Sequence, residues 1–129
     1  MAGIASIAPG ASHNFASVIG SSIATGAGNE GNFQMPMQFD CTVQSVSVQL
    51  QTAPGTSLTP LKFWDLYLRK NSVSTATTCQ IAGDHTSCST STNTAVTALT
   101  DLLSWDLVPN QAGVAPANPG VVSVTGVCK

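Results

Sequence analysis

Charge is what this sequence has least of. Four Lys/Arg and six Asp/Glu make up 8% of its 129 residues, against roughly a quarter in an average soluble protein. No Lys or Arg precedes Lys62, so the chain lacks the basic stripe that nucleic-acid binding needs. No charge run marks an acidic or basic disordered tail. No apolar run approaches the roughly 20 residues of a membrane span. Paired-carboxylate or histidine chemistry has only Glu30, Asp40, Asp65, Asp84, Asp101, Asp106, His13 and His85 to draw on. Polarity comes instead from hydroxyls, 15 Ser and 15 Thr. The opening Met1–Gly10 has neither the positive start nor the unbroken apolar stretch of a secretory signal. The expectation is a signal already removed, or assembly inside a cell followed by release.

Cysteine is sparse too, with Cys41, Cys79, Cys88 and Cys128 allowing three pairings. Gly83-Asp84 suits a two-residue hairpin turn with Gly first. Centring the turn there sets Cys79 opposite Cys88 at a non-hydrogen-bonded pair, with Cα atoms about 4.5 Å apart. A cross-strand disulfide is expected, with two buried thiols as the alternative. A bond between Cys41 and Cys128 would tie the last strand to an early one. No CxxC spacing exists and neither His lies near two Cys, which argues against zinc. Disulfides imply an oxidising final environment.

Of residues 1–31, 18 are Ala, Gly or Ser. Gly weakens helix and strand alike, so this segment reads as an extended arm with one strand near Asn14–Ile19, and residues 32–129 read as the domain. From Asn32 the pattern is strand and turn. Cys41–Leu50 alternates with a phase slip, which predicts a bulge near Gln44-Ser45. Leu61–Lys70 alternates, with Trp64, Leu66 and Leu68 on one side and Phe63, Asp65, Tyr67 and Arg69 on the other. Asn71-Ser72 reads as a tight turn. Val73–Cys79 and Thr86–Ser91 follow as strands. Ala95–Pro109 also fits helical spacing, but alternation at Leu103, Trp105 and Leu107 favours two strands broken at Thr100-Asp101. Asn110–Pro119 reads as a loop and Val121–Cys128 as the last strand. Seven or eight short strands with regular turns predict an all-β antiparallel sandwich. Its core is expected at Val46, Val48, Leu66, Leu68, Ile81, Leu103, Leu107, Val122 and Val124.

Leu66-Tyr-Leu-Arg-Lys-Asn-Ser-Val73, Thr78-Cys79-Gln-Ile-Ala-Gly83, Ser87-Cys88-Ser and Asp101-Leu-Leu-Ser104 resemble a group of small virion and spore-surface modules. These are jelly-roll domains related in shape to the tumour-necrosis-factor/C1q type, found in phage structural proteins and at tips of collagen-like bacterial proteins. The resemblance covers about 40 residues, with Ser72 and Thr100 standing where the pattern has Gly. It implies a jelly-roll topology, homotrimeric or larger assembly, and a structural or adhesive role without catalytic residues or cofactors. The expectation is a bacteriophage capsid decoration or cement protein, exposed on the virion, whose arm contacts neighbouring subunits. A fibre-tip adhesive module and an extracellular filament subunit are the alternatives.

Few site candidates stand out. Trp64, Trp105 and Tyr67 could form an aromatic platform for a ligand, although core packing suits both Trp residues better. Of these, Trp105 and Tyr67 are the residues to watch. Asp84-His85 at a turn tip lacks further metal ligands. Ser104 with His13 or His85 and an Asp could be named a triad, but no Gly-x-Ser-x-Gly elbow surrounds it. Arg69-Lys70 at a hairpin end is a place for a salt bridge to a neighbour.

Overall fold

The computed structural model describes residues 13–18, 23–25, 27–56, 61–110 and 115–129. Its strands are β1 (Asn14–Ser17), β2 (Ile23–Thr25), β3 (Met35–Pro36), β4 (Cys41–Leu50), β5 (Phe63–Lys70), β6 (Val73–Ala82), β7 (Ser87–Thr90), β8 (Thr94–Val96), β9 (Leu102–Pro109) and β10 (Val122–Cys128). A short 3-10 helix, Ala27–Asn32, lies between β2 and β3. The larger sheet has the order β2-β1-β9-β5-β6, with β3 also on β9. The smaller has the order β10-β4-β7, with β8 also on β4. Every pairing is antiparallel. The protein is an all-β antiparallel sandwich.

Period-two alternation builds the core. All nine positions expected from the sequence are buried, joined by Trp64, Trp105, Val43, Leu50 and Val96. Val43 and Val46 differ in phase, yet both point inward. Val127 pairs with Ser45 and Cys128 with Val43, so Gln44 has no partner and forms the expected bulge. The Ala95–Pro109 stretch breaks as expected, but its halves separate: β8 joins the smaller sheet and β9 the larger. Leu99, at φ 57°, reverses the chain between them. Asn71 and Ser72 both take positive φ, 52° and 65°, the primed turn that matches strand twist.

Two expectations are corrected. The Gly83-Asp84 turn forms, with Gly83 at φ 64° and the His85 N–H donating to the Ala82 carbonyl at 3.2 Å. The strands beyond it do not pair with each other. β6 stays on β5, while Cys88 sits opposite Val48 on β4. Cys79 and Cys88 are bonded, but between sheets, with Cα atoms 6.0 Å apart. Sheets packed face to face lie about 10 Å apart, so this is a corner where they converge. Local turn chemistry dictates a reversal, not which strand the returning segment joins.

The second correction concerns the arm. A boundary at residue 31 does not hold for residues 13–18, 23–25 and 27–31, because β1 lies between β2 and β9 inside the larger sheet. Phe15, Ala16 and Val18 are buried. Pairing along Asn14↔Leu107 to Ser17↔Ser104 outweighs the weak strand preference of a Gly/Ala/Ser-rich segment. Residues 1–12, 19–22 and 26 of the expected arm, and 111–114 of the expected loop, lie outside the described residues. The second disulfide, Cys41–Cys128, joins the start of β4 to the end of β10. Two disulfides suit an oxidising environment. Among the described residues no helix is long and apolar enough to cross a membrane.

Candidate interaction surfaces

On β9, Leu103, Trp105 and Leu107 face the core, which leaves Ser104 and Asp106 on the outer face of the larger sheet. Phe15 of β1 pairs with Asp106, and Arg69 of β5 pairs with Ser104. The 3-10 helix adds Glu30. Together these form a buried charged cluster. The Arg69 Nε and Nη2 donate to the two Glu30 carboxylate oxygens at 2.7 and 3.1 Å. Ser104 Oγ donates to Glu30 Oε1 at 2.9 Å. His13 Nδ1 lies 2.7 Å from Asp106 Oδ2, and the Asn14 backbone N–H donates to Asp106 Oδ1 at 3.3 Å. The Phe15 ring stacks on His13 with centroids 5.5 Å apart, and the Arg69 guanidinium carbon lies 5.5 Å from its centroid.

Burial pushes the Asp106 carboxyl above its ordinary pKa, against the pull of His13, Arg69 and the Asn14 amide. Glu30 is also raised by burial, but hydrogen bonds from Arg69 and Ser104 and the Arg69 charge outweigh this and hold it low. The Tyr67 phenol is pushed up by burial and by the charges of Asp65 and Asp106. Ser104 is fully buried and its hydroxyl is committed to Glu30, so it does not meet His13 as a nucleophile would. What the cluster does is fasten β1 and the 3-10 helix across β9 and β5.

The other flagged residues disperse. Trp105 is fully buried, as is Trp64, so the expected platform is corrected: inward phase on β9 hides the Trp105 ring, and only half-buried Tyr67 retains access. Arg69 and Lys70 bond within the chain, Lys70 Nζ to the Ala95 carbonyl at 3.0 Å and to Asp101 at 3.4 Å. Asp101 caps the 97–101 turn through the Thr97 N–H, with the Asn71 amide beside it, and both lower its pKa. Asp65 accepts from Gln80. Asp84 and His85 are exposed at the turn tip. Among the described residues no three His, Cys, Asp or Glu are placed to hold a metal.

The surface that sequence reasoning missed is the outer face of the smaller sheet. Strands β4, β7, β8 and β10 contain no Asp, Glu, Lys or Arg. Registers align two outward rows, Ser123–Gln49–Ser87 and Thr125–Ser47–Ser89. These six exposed side chains line a shallow groove of about 500 Å³. The signal was present as four uncharged strand segments, but it takes the register to bring them together. No family model, curated protein or solved structure matches the chain.

Proposed function

We propose that this protein is a bacteriophage virion structural protein, a capsid decoration or cement subunit, with a sandwich of the jelly-roll kind that associates as a trimer or larger assembly. One observation carries the reading. Glu30, Arg69 and Asp106, the ionisable groups gathered on the larger sheet, are engaged in anchoring the N-terminal segment. The segment from His13 onward is therefore held in place on the sheet. A segment of twelve residues spans at most roughly 40 Å when fully extended, so residues 1–12 are long enough to reach a neighbouring subunit of a shell. Binding the assembled shell and not its separated subunits stabilises it by mass action. The two disulfides suit a particle assembled in a host cell and then released.

Deleting residues 2–12, and not the whole expected arm, tests the reading, because β1 and its charged cluster remain. The expected result is a sandwich with an unchanged thermal midpoint that no longer occupies shells assembled without it. Full occupancy after the deletion overturns the proposal.

A further inference from the structure

We infer that β1 is a proton-gated strand, docked on β9 while the His13–Asp106 pair is neutral overall and released as pH rises and the pair loses its proton. This does not rest on the capsid reading. The geometry of Asp106 carries it. The Asp106 side chain is 1% exposed, and β1 with its lead-in supplies both of its hydrogen bonds. Oδ2 lies 2.7 Å from His13 Nδ1, and Oδ1 accepts from the Asn14 N–H at 3.3 Å. On the other side of β9, strand β5 offers only Arg69 Nη1, 3.9 Å from Oδ2 and beyond hydrogen-bond reach. That guanidinium gives its own bonds to Glu30, Ser74 and the Ser72 carbonyl. A buried carboxyl is costly unless it is paired, and its direct partners here arrive only with β1. The His13 side chain is 35% exposed, so water and protons reach the pair.

The other ionisable groups facing Asp106 are few. From β5 come Arg69, Asp65 and Tyr67, the last directly opposite Asp106 in the register. The Tyr67 phenol is pushed above its ordinary pKa by burial and by the two carboxylates, so it stays neutral. The 3-10 helix brings Glu30, which takes the Arg69 charge. Strands β2 and β3 carry no ionisable side chain. With its proton, the pair is imidazolium beside carboxylate or imidazole beside carboxylic acid, and neither form leaves net charge in the site. Without it, a neutral ring faces a buried anion, with the Asp65 carboxylate nearby. Undocking returns both groups to water and removes the distinction. The docked strand therefore binds the proton more tightly, and by linkage its docking weakens as pH rises. Histidine is the side chain that changes charge between about pH 5 and pH 8. Burial, which raises the Asp106 carboxyl's pKa, acts with the same sign.

The rest of the sandwich can outlast the release. β9 keeps its pairing with β5, from Trp64↔Pro109 to Lys70↔Leu103. Among the described residues β2 pairs with β1 alone, so the two leave together as a hairpin. Glu30 still holds the 3-10 helix to Arg69 and Ser104. Release uncovers Phe15, Ala16 and Val18 and opens the β9 edge from Ser104 to Leu107. Short strands near a chain end are ordinarily among the first elements to open.

The test follows amide hydrogen exchange along the full chain, labelled with ¹⁵N, between about pH 5.5 and about pH 8.5. Each rate is divided by the intrinsic rate at that pH. The amides of β1 should open about tenfold more at the upper end, while those of β4 and β5 keep their protection. His13→Gln keeps a donor but has no proton to lose, and Asp106→Asn has no charge to bury. In both, the opening of β1 should no longer vary with pH. Two outcomes overturn the inference: β1 protection that tracks β4 and β5 at every pH, or a pH slope in His13→Gln equal to that of the native chain. His13 is partly exposed, so this variant reports even where Asp106→Asn fails to fold. Shell occupancy plays no part in the readout, which keeps the result separate from that of deleting residues 2–12.

Discussion

Cys79 and Cys88 flank a single tight turn and yet belong to opposite sheets, their Cα atoms 6.0 Å apart. The bond therefore closes a corner of the sandwich and spans only 9 residues of chain, whereas Cys41–Cys128 spans 87. In the chain-entropy account a disulfide restricts the unfolded state more as its loop lengthens, which gives roughly 4–5 kcal/mol for the long loop and roughly 2–3 kcal/mol for the short one. Replacing Cys41 and Cys128 by Ser should lower the urea midpoint more than replacing Cys79 and Cys88. Equal losses would mean that unfolded-state entropy does not govern these bonds.

Asn71 and Ser72 share a left-handed conformation but should respond oppositely to glycine. Ser72 holds φ 65°, and its hydroxyl has only an exposed contact from Gln34 Nε2 at 2.9 Å and a minor hydrogen bond to the Glu30 carboxylate. Ser72→Gly removes backbone strain and should raise stability by about 0.5–1 kcal/mol. The Asn71 side chain accepts from the Leu102 N–H at 2.8 Å and donates to Asp101 at 2.8 Å. Asn71→Gly should therefore lower the thermal midpoint. A matching sign at both positions would refute this account of the turn.

Acid should weaken the fold through Glu30. Its pKa is lower folded than unfolded, so its contribution is complete above about 4.3, the unfolded value, and disappears as pH falls through the lowered one. Asp101 runs the same way. Asp106 runs oppositely: its raised pKa favours the folded state most below about 3.9, and that preference is lost as pH rises through the raised value. Glu30→Gln removes the carboxylate that Arg69 hydrogen-bonds, leaving only Asp106 at 3.9 Å, and should cost roughly 2–3 kcal/mol at neutral pH. It should also flatten the decline of the urea midpoint between about pH 5 and pH 2.5. Parallel pH profiles for the variant and the native chain would contradict the role given to Glu30.

The two buried tryptophans should differ on truncation. Trp64 Nε1 donates to the Ala117 carbonyl at 3.4 Å, whereas Trp105 Nε1 is buried with no hydrogen-bond partner. Each Trp→Phe change loses packing, but at Trp105 it also removes an unsatisfied donor. Trp105→Phe should therefore be the milder change, by about 1–2 kcal/mol. Thermal unfolding of both variants decides it.

Much of the fold was legible along the chain because alternation is local. Val46, Val48, Leu66, Leu68, Leu103, Leu107, Val122 and Val124 announce their inward phase within one strand each, and the slip between Val43 and Val46 announces the bulge. Partner choice is not local. Nothing near Ser87–Thr90 says that it joins β4 and not β6, and nothing near Asn14–Ser17 says that β9 accepts it. The charged cluster was hidden for the same reason. Glu30 and Arg69 are 39 residues apart and Ser104 is 74 from Glu30. Outward phase at Ser104, Asp106 and Arg69 was readable, but not their common cover by Phe15 and the 3-10 helix. The neutral face likewise exists only once β10, β4 and β7 lie side by side.

The hydrogen bond from Asn14 to Leu107 joins residues 93 positions apart. On the ribosome β1 is made about 90 residues before its neighbour β9, so the larger sheet cannot close strand by strand as the chain emerges. Phe15, Ala16 and Val18 must wait, uncovered, until β9 has been made. Closing such distant contacts is slow, and a nascent chain in that condition is the form most in need of chaperone protection.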